Sequence, residues 1–303
     1  MELKDIRYRL IHIHLTNIAS RKMIYRFLWK DPTLASIYEM TPTELNLHFS
    51  LRIDTAVKLH SSLKDPKLKK HFIDVMKQYE VITIIDETYP SMLRTINDAP
   101  LVLYTSGDES LLEQRKILSV IGSRKPSREA IPKMKHILKP LLEDNWVITS
   151  GMAKGIDGYA HQLTLSHQQK TIAVLGGGFE YIYPREHIPL FKEIKRTGLI
   201  ISEYPPSVRP AKHHFPERNR IISGLSFGIL VIEAMERSGT MITVEQALDQ
   251  GREVFAVPGS PLIPQAKGCH LLIQEGAKLT QHASDIQEEW LSQQQLDNCK
   301  AVR

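Results

Sequence analysis

The stretch Thr171-Ile172-Ala173-Val174-Leu175-Gly176-Gly177-Gly178 decides the fold: a short apolar run with strand character stops at three glycines. The pattern recurs at Ile121-Gly122-Ser123-Arg124, at Thr149-Ser150-Gly151 running on to Lys154-Gly155-Ile156-Asp157, and at Ser238-Gly239-Thr240 after the apolar run Ile229 to Ile232. Each run is followed by residues at helical spacing, so each glycine turn marks a buried strand handing over to a helix N-terminus. Backbone N–H groups without intrahelical partners collect at such turns, and in a parallel sheet the turns line up along one edge. That edge suits phosphate, which leaves a choice between a nucleotide and a nucleic-acid backbone.

Outward from these turns, strands are expected near 117–121, 146–149, 171–175, 199–202, 228–232 and 253–257, with amphipathic segments between them. The alternation predicts an α/β fold: a doubly wound, mostly parallel sheet with helices on both faces. Residues 1–80 read instead as a small helical domain, with apolar residues at helical spacing in Leu10, Ile11, Leu15, Ile18, then Ile24, Phe27, Leu28, then Phe72, Val75, Met76. Thr41-Pro42-Thr43-Glu44 has the form of a helix start with Thr41 as N-cap. Residues 81–110 read as a connector with two strand-like runs, 111–282 as the core, and 283–303 as a C-terminal tail.

At 303 residues and 42% hydrophobic content the chain can bury a substantial core. No early stretch has signal-peptide form and no run approaches the roughly 20 apolar residues of a membrane helix, so a cytoplasmic protein is expected. Two isolated cysteines, Cys269 and Cys299, suit a reducing compartment. The formal charge of +5 favours acidic partners without naming one. Thirteen histidines invite a metal, yet His12 and His14 are two apart and His213 and His214 adjacent, so no ligand set forms and no metal is expected.

The turn Gly122-Ser123-Arg124-Lys125-Pro126 lacks the second and third glycines of a dinucleotide fingerprint, and no Walker loop occurs. The edge is decorated instead with cations: Arg124, Lys125, Lys154, Arg185 and the segment Arg209-Pro210-Ala211-Lys212-His213-His214-Phe215-Pro216-Glu217-Arg218-Asn219-Arg220. Basic residues interleaved with rings neutralise phosphates and stack bases. Asp157 and His161, one helical turn apart, read as structural residues. Glu203 and Glu233, at strand ends, read as carboxylates that fix Arg124 or Arg220.

In order and spacing, GSR, SGMAKGID followed by His161, AVLGGG followed by Tyr183-Pro184, ISEYPP, FPERNRIISGLS, EAMERSGTMIT and VFAVPGS together resemble the bacterial DNA processing protein A family, DprA or Smf, over roughly residues 85 to 280. The resemblance implies a Rossmann-like core, a helical leader similar to a sterile alpha motif or helix-hairpin-helix domain, and a homodimer. It implies a single-stranded DNA-binding protein that protects incoming strands and loads RecA during natural transformation, with single-strand-binding protein as a further partner. Gly177 and Gly268-Cys269-His270 depart from the family pattern, and too few residues follow Lys278 for the winged-helix domain many relatives carry, so none is expected.

A distant likeness to nucleotide phosphoribohydrolases of the lysine-decarboxylase-like group supplies the enzymatic alternative, with Ser238-Gly239-Thr240 as phosphate turn and Glu245 as carboxylate. Binding without turnover is the preferred reading, with no catalytic residue, cofactor or metal. The DNA-binding residues expected are Gly122, Ser123, Arg124, Lys125, Gly151, Lys154, Gly155, Gly177, Arg185, Lys212, His214, Phe215, Arg218, Asn219, Arg220, Ser238, Gly239 and Thr240. The consecutive Leu271, Leu272 and Ile273 give a helix there a wide apolar arc, which assigns His270, Leu271, Leu272 and Leu279 to a two-fold interface.

Overall fold

The computed structural model describes residue 3 and residues 5–301, with side chains to residue 296. Cys299 therefore has no described side chain. The chain opens with α1 (Ile6–Leu15), α2 (Arg21–Lys30), α3 (Ser36–Glu39), α4 (Pro42–Phe49), α5 (Ile53–Leu63) and α6 (Pro66–Gln78). Local signals set their starts. The Thr41 hydroxyl accepts the Glu44 N–H at 3.3 Å, and the Glu44 carboxylate accepts the Thr41 N–H at 2.7 Å, the reciprocal cap expected of that tetrad. Asp65 caps α6 through the Lys67 N–H, ahead of Pro66.

Strands and helices then alternate: β1 (Glu80–Thr83), α7 (Ser91–Arg94), β2 (Val102–Gly107), β3 (Ile117–Ile121), α8 (Ala130–Glu143), β4 (Val147–Ser150), α9 (Ile156–Ser166), β5 (Thr171–Leu175), α10 (Ile188–Thr197), β6 (Leu199–Ser202), α11 (His214–Leu225), β7 (Gly228–Val231), α12 (Gly239–Asp249), β8 (Glu253–Ala256), α13 (Lys267–Gln274), β9 (Lys278–Leu279) and α14 (Ala283–Ala301). The strands form one nine-stranded sheet in the order β1-β2-β6-β5-β4-β3-β7-β8-β9. Strands β3 to β9 pair in parallel, and β2 runs against both β1 and β6. The fold is the mostly parallel, Rossmann-like α/β class with a helical N-terminal region.

Both faces of the sheet are covered, which is why its strands read as continuous apolar runs. Ile117, Ile121, Ile172, Val174, Ile229 and Val231 pack under α11, α12 and α13. Their alternates in the strands divide between two clusters on the other face: Leu118, Val120, Ile148 and Leu230 pack with α8, α9 and α14, whereas Val102, Tyr104, Ala173 and Ile200 pack with α10 and the helical region. The helical region is thus continuous with the core, with Tyr79 and Phe179 ring centres 5.2 Å apart.

Two segments differ from expectation. Residues 81–110 supply β1 and β2, two strands of the sheet itself, because Val102 and Tyr104 have a helical layer to bury against on one face while Leu103 fills the other. The expected tail folds as α14, since Ala283 and Ile286 are buried and Trp290 packs edge-on to Trp146 at 5.7 Å. Neither apolar set has sheet or helix periodicity long enough to show its partner in advance.

Strand β3 lies between β4 and β7. The chain builds outward from β3 through β4, β5 and β6, then returns to its other side for β7, β8 and β9. A crevice opens beyond the carboxyl ends of the strands where the direction of winding reverses.

Candidate nucleic-acid interface

A cleft of about 720 Å³ occupies that crevice. Three pieces of chain wall it: the turn after β3 with Gly122, Ser123, Arg124 and Lys125, the start of α12 with Ser238, Gly239 and Thr240, and the approach to α11 with Lys212, Phe215, Arg218 and Asn219. These expected residues, separated by over a hundred positions, therefore meet in one place. The lining also includes Ala153, Asp157, Tyr183 and Met235, which were not among the expected contacts.

Arg124, Lys125 and Lys212 are exposed and supply the positive charge. The Arg124 guanidinium carbon lies 5.9 Å from the centre of the Phe215 ring, and the Tyr183 ring centre lies 5.6 Å from it on a tilted plane. Tyr183 is 55% exposed. An aromatic held at the mouth of a basic cleft is a surface for stacking. Its signal in the sequence is a tyrosine close behind a strand-end glycine turn and directly before a proline.

The destination of the backbone N–H groups corrects the simplest reading of the glycine turns. The Ser123 N–H donates to the Glu233 carbonyl at 2.8 Å, and the Lys125 N–H to the Ser123 hydroxyl at 3.1 Å. In the second turn, the Gly158 N–H donates to the Ala153 carbonyl at 3.0 Å and the Ile156 N–H to the Ser123 carbonyl at 3.2 Å. The Gly178 N–H donates to the Val208 carbonyl at 2.8 Å. These donors close the loops on themselves. The start of α12 differs: its first amides have no intrahelical acceptor, the Ser238 hydroxyl is buried without a partner, and nothing lies within 4 Å of the Gly239 Cβ position.

Arg218 lines the floor of the cleft but is 3% exposed. It donates to the carbonyls of Gly151, at 2.6 Å, and of Val174, joining the ends of β4 and β5. A side chain on Gly151 would collide with that guanidinium. Burial pushes the Arg218 pKa down to about 10, opposed by Asp157, whose own carboxyl is raised by burial and lowered by Arg218. Asn219 ties α11 to α12 through the Thr243 hydroxyl at 2.8 Å.

Arg220 does not belong to the cleft. It is 2% exposed, lies 2.6 Å from the Glu203 carboxylate and 3.1 Å from Asp98, and has no surface to offer a phosphate. Arg21 of α2 joins the same cluster, 3.0 Å from Asp98 and 3.4 Å from Glu203. Glu203 thus fixes Arg220 as expected, while Glu233 holds the Ser127 N–H at 2.8 Å and not Arg124. His214 is also misplaced as a stacking surface in the cleft: it is buried, parallel to Tyr204 at 4.0 Å, and lines a separate pocket.

Lys154 and Arg185 are exposed but lie outside the cleft lining, Lys154 in an ion pair with Glu186 at 2.6 Å. Gly155, at φ +79°, is a turn glycine whose Cβ position is blocked by the Ser123 carbonyl, and Gly177 packs beneath Pro210. His161 is buried against the Thr171 hydroxyl at 2.7 Å, and burial lowers its pKa to about 3, in keeping with a structural role. Of the residues assigned to a two-fold interface, Leu272 is buried within the subunit because α13 turns it onto the β7 and β8 side of the core. His270 donates to the Gly259 carbonyl at 2.9 Å, Leu271 and Ile273 are half-buried, and Leu279 on β9 is 44% exposed. Among the described residues no helix is long and apolar enough to cross a membrane, and no cluster of three or more His, Cys, Asp or Glu could hold a metal.

Residues 80–291 match the family model of DNA recombination-mediator protein A. The chain belongs to this family. It is similar to DNA processing protein DprA of Bacillus subtilis, at 44% identity over 225 residues that cover 74% of this chain and 76% of the relative. DNA processing protein DprA of Streptococcus pneumoniae is 43% identical over 228 residues, 75% of this chain and 79% of that protein. Its X-ray structure superimposes with a TM-score of 0.82 at 36% identity, covering 93% of this chain and 97% of that one. DNA processing protein A of Helicobacter pylori, solved for its single-stranded DNA binding mode, gives a TM-score of 0.63 at 26% identity, covering 71% of this chain and 97% of that one. The match to the recombination-mediator family runs from β1 into the first half of α14, so it includes both edge strands of the sheet.

Proposed function

We propose that the cleft binds single-stranded DNA, holding its sugar-phosphate backbone and an unstacked base, with no bond made or broken. The observation that carries this reading is the convergence of Arg124, Lys125 and Lys212 with the rings of Phe215 and Tyr183 over the open start of α12. Cations and rings in one groove bind a strand whose bases are free to stack, independently of sequence. The Helicobacter pylori relative, described for single-stranded DNA binding, supports the same ligand. On this reading the protein acts in the cytoplasm on strands taken up in natural transformation, protects them, possesses a surface for RecA, meets single-strand-binding protein on the same DNA, and works as a homodimer. The exposed Leu279 and the half-buried Leu271 and Ile273 are the apolar face available to a second copy.

A hydrolase would need a carboxylate facing the cleft. Among the described residues Asp157 is the only acid in the lining and it is buried, while Glu245 sits exposed on α12 outside the cleft. The test is a salt series of single-strand affinity for the parent protein and for Arg124→Ala and Lys125→Ala. Each lost contact lowers the slope of log affinity against log salt by about 0.7. Unchanged slopes in folded variants remove the cleft from DNA binding. Release of free base from a nucleoside monophosphate by the parent protein would establish turnover instead.

A further inference from the structure

A second pocket, of about 640 Å³, lies on the far side of the segment 212–215 from the cleft. Lys212 and Phe215 line the cleft, whereas His213 and His214, between them in sequence, line the second pocket. Its opposite wall is the end of α1, with Leu15 and Asn17, and its roof is the loop that carries Ser207 and Arg209. No carboxylate is among its lining residues.

Three features give this pocket the chemistry of a nucleotide subsite. Arg209 is an exposed cation whose guanidinium carbon sits 4.8 Å from the centre of the Tyr181 ring, two residues before Tyr183 of the cleft. His214 and Tyr204 form a stacked pair with ring centres 4.0 Å apart, and the His213 ring stands edge-on to His214 at 4.4 Å. The loop is tied down: the Gly178 N–H donates to the Val208 carbonyl, and Gly177 and Gly178 pack directly under Pro210 and Pro205-Pro206. Tyr183 with Phe215 and Arg124, then Lys212, then Arg209 with Tyr181 and His213, form a run of rings and cations along the carboxyl edge of the sheet, from the end of β3 to the end of β6.

We propose that this pocket is a second subsite on the same strand, taking the phosphate and base that follow those held in the cleft, so that the helical region takes part in binding longer DNA. The proposal rests on the single-strand reading of the cleft. One phosphate contact at Arg209 corresponds to a slope of about 0.7, or about fivefold in affinity at 0.1 M salt relative to 1 M.

The experiment is fluorescence anisotropy with labelled oligothymidylates of about 4 to 16 nucleotides, the range of single-strand site sizes, against the parent, Arg124→Ala, Arg209→Ala and Ser207→Glu. The side chains of Arg209 and Ser207 are exposed, so neither change removes a core contact. Arg209→Ala and Ser207→Glu are expected to match the parent on the shortest strand and to bind the longest about fivefold more weakly, while Arg124→Ala weakens every length. If Arg209→Ala and Ser207→Glu match the parent at all lengths, the subsite is refuted and the cleft reading stands. Equal loss at every length refutes a second subsite as well, because the pocket then acts at the first nucleotide. A parent protein that binds none of the strands removes both readings.

Discussion

Arg220→Ala separates a binding role from a structural one at the position where the basic segment is most misleading. In the folded chain the cluster of Arg21, Asp98, Glu203 and Arg220 balances two cations against two anions, and Glu203 is 8% exposed. Removing Arg220 leaves a net negative charge on a carboxylate that has lost its 2.6 Å partner. Breaking a buried pair from one side costs about 3–5 kcal/mol. Arg21 remains near Glu203, at 3.4 Å, so the lower end, about 3 kcal/mol, is expected. Against a urea dependence of about 3 kcal/mol per molar, the midpoint falls by about 1 M. Single-strand affinity of the folded fraction, measured in buffer without urea, should stay within about twofold, because Arg220 contributes no contact. The result that refutes this is the reverse pattern: an unchanged urea midpoint with DNA binding lost would place Arg220 at the strand and void the assignment of the cluster.

Three other outcomes are expected. Phe215→Ala and Tyr183→Ala each weaken single-strand binding by roughly 1–3 kcal/mol at unchanged thermal stability; equal affinity in both variants would show that no base stacks there. Acid destabilises the fold through three histidines, His12 and His161 buried and His14 half-buried: desolvation lowers His12 and His14 to about 4 and His161 to about 3. The unfolded chain takes up protons near pH 6.5 that the folded chain refuses, so stability is full above that value and falls as pH drops towards 4, by up to about 1.4 kcal/mol per pH unit for each group; a urea midpoint that is flat from pH 7.5 to 5 would contradict this. Leu279→Asp splits the proposed dimer without unfolding it and weakens binding of strands long enough to reach both copies, whereas a parent protein that scatters light as a monomer at micromolar concentration excludes that interface.

The layout of the sheet was legible because strands buried on both faces announce themselves as apolar runs, and glycine marks where each must turn. Ile117 to Ile121 and Thr171 to Leu175 coincide with their strands, and β4 is displaced by one residue from its expected start at 146. The Thr41 cap was legible because all its partners lie within four residues. What was illegible depends on partners distant in sequence. The same glycine turn can present its amides to a ligand or close on a neighbour, and whether Gly178 faces a phosphate or Val208 is decided only when the loop 205–213 folds over it.

The fates of Arg218, Asn219 and Arg220 have a simpler cause. Once FPERNRIISGLS is recognised as the helix α11, successive side chains point about 100° apart, and three neighbours cannot share one groove. Arg218 turns to the ends of β4 and β5, Asn219 to α12, and Arg220 to Glu203 and the helical region. Density of charge in the sequence therefore overstated the charge of the cleft. The exposed cations of the cleft are those on irregular backbone, Arg124, Lys125 and Lys212, where no helical phase directs them inward. The arginines of α11 serve the fold: Arg218 joins the ends of β4 and β5 beneath the cleft, and Arg220 ties α11 to Glu203 and Asp98, where Arg21 of the helical region also binds.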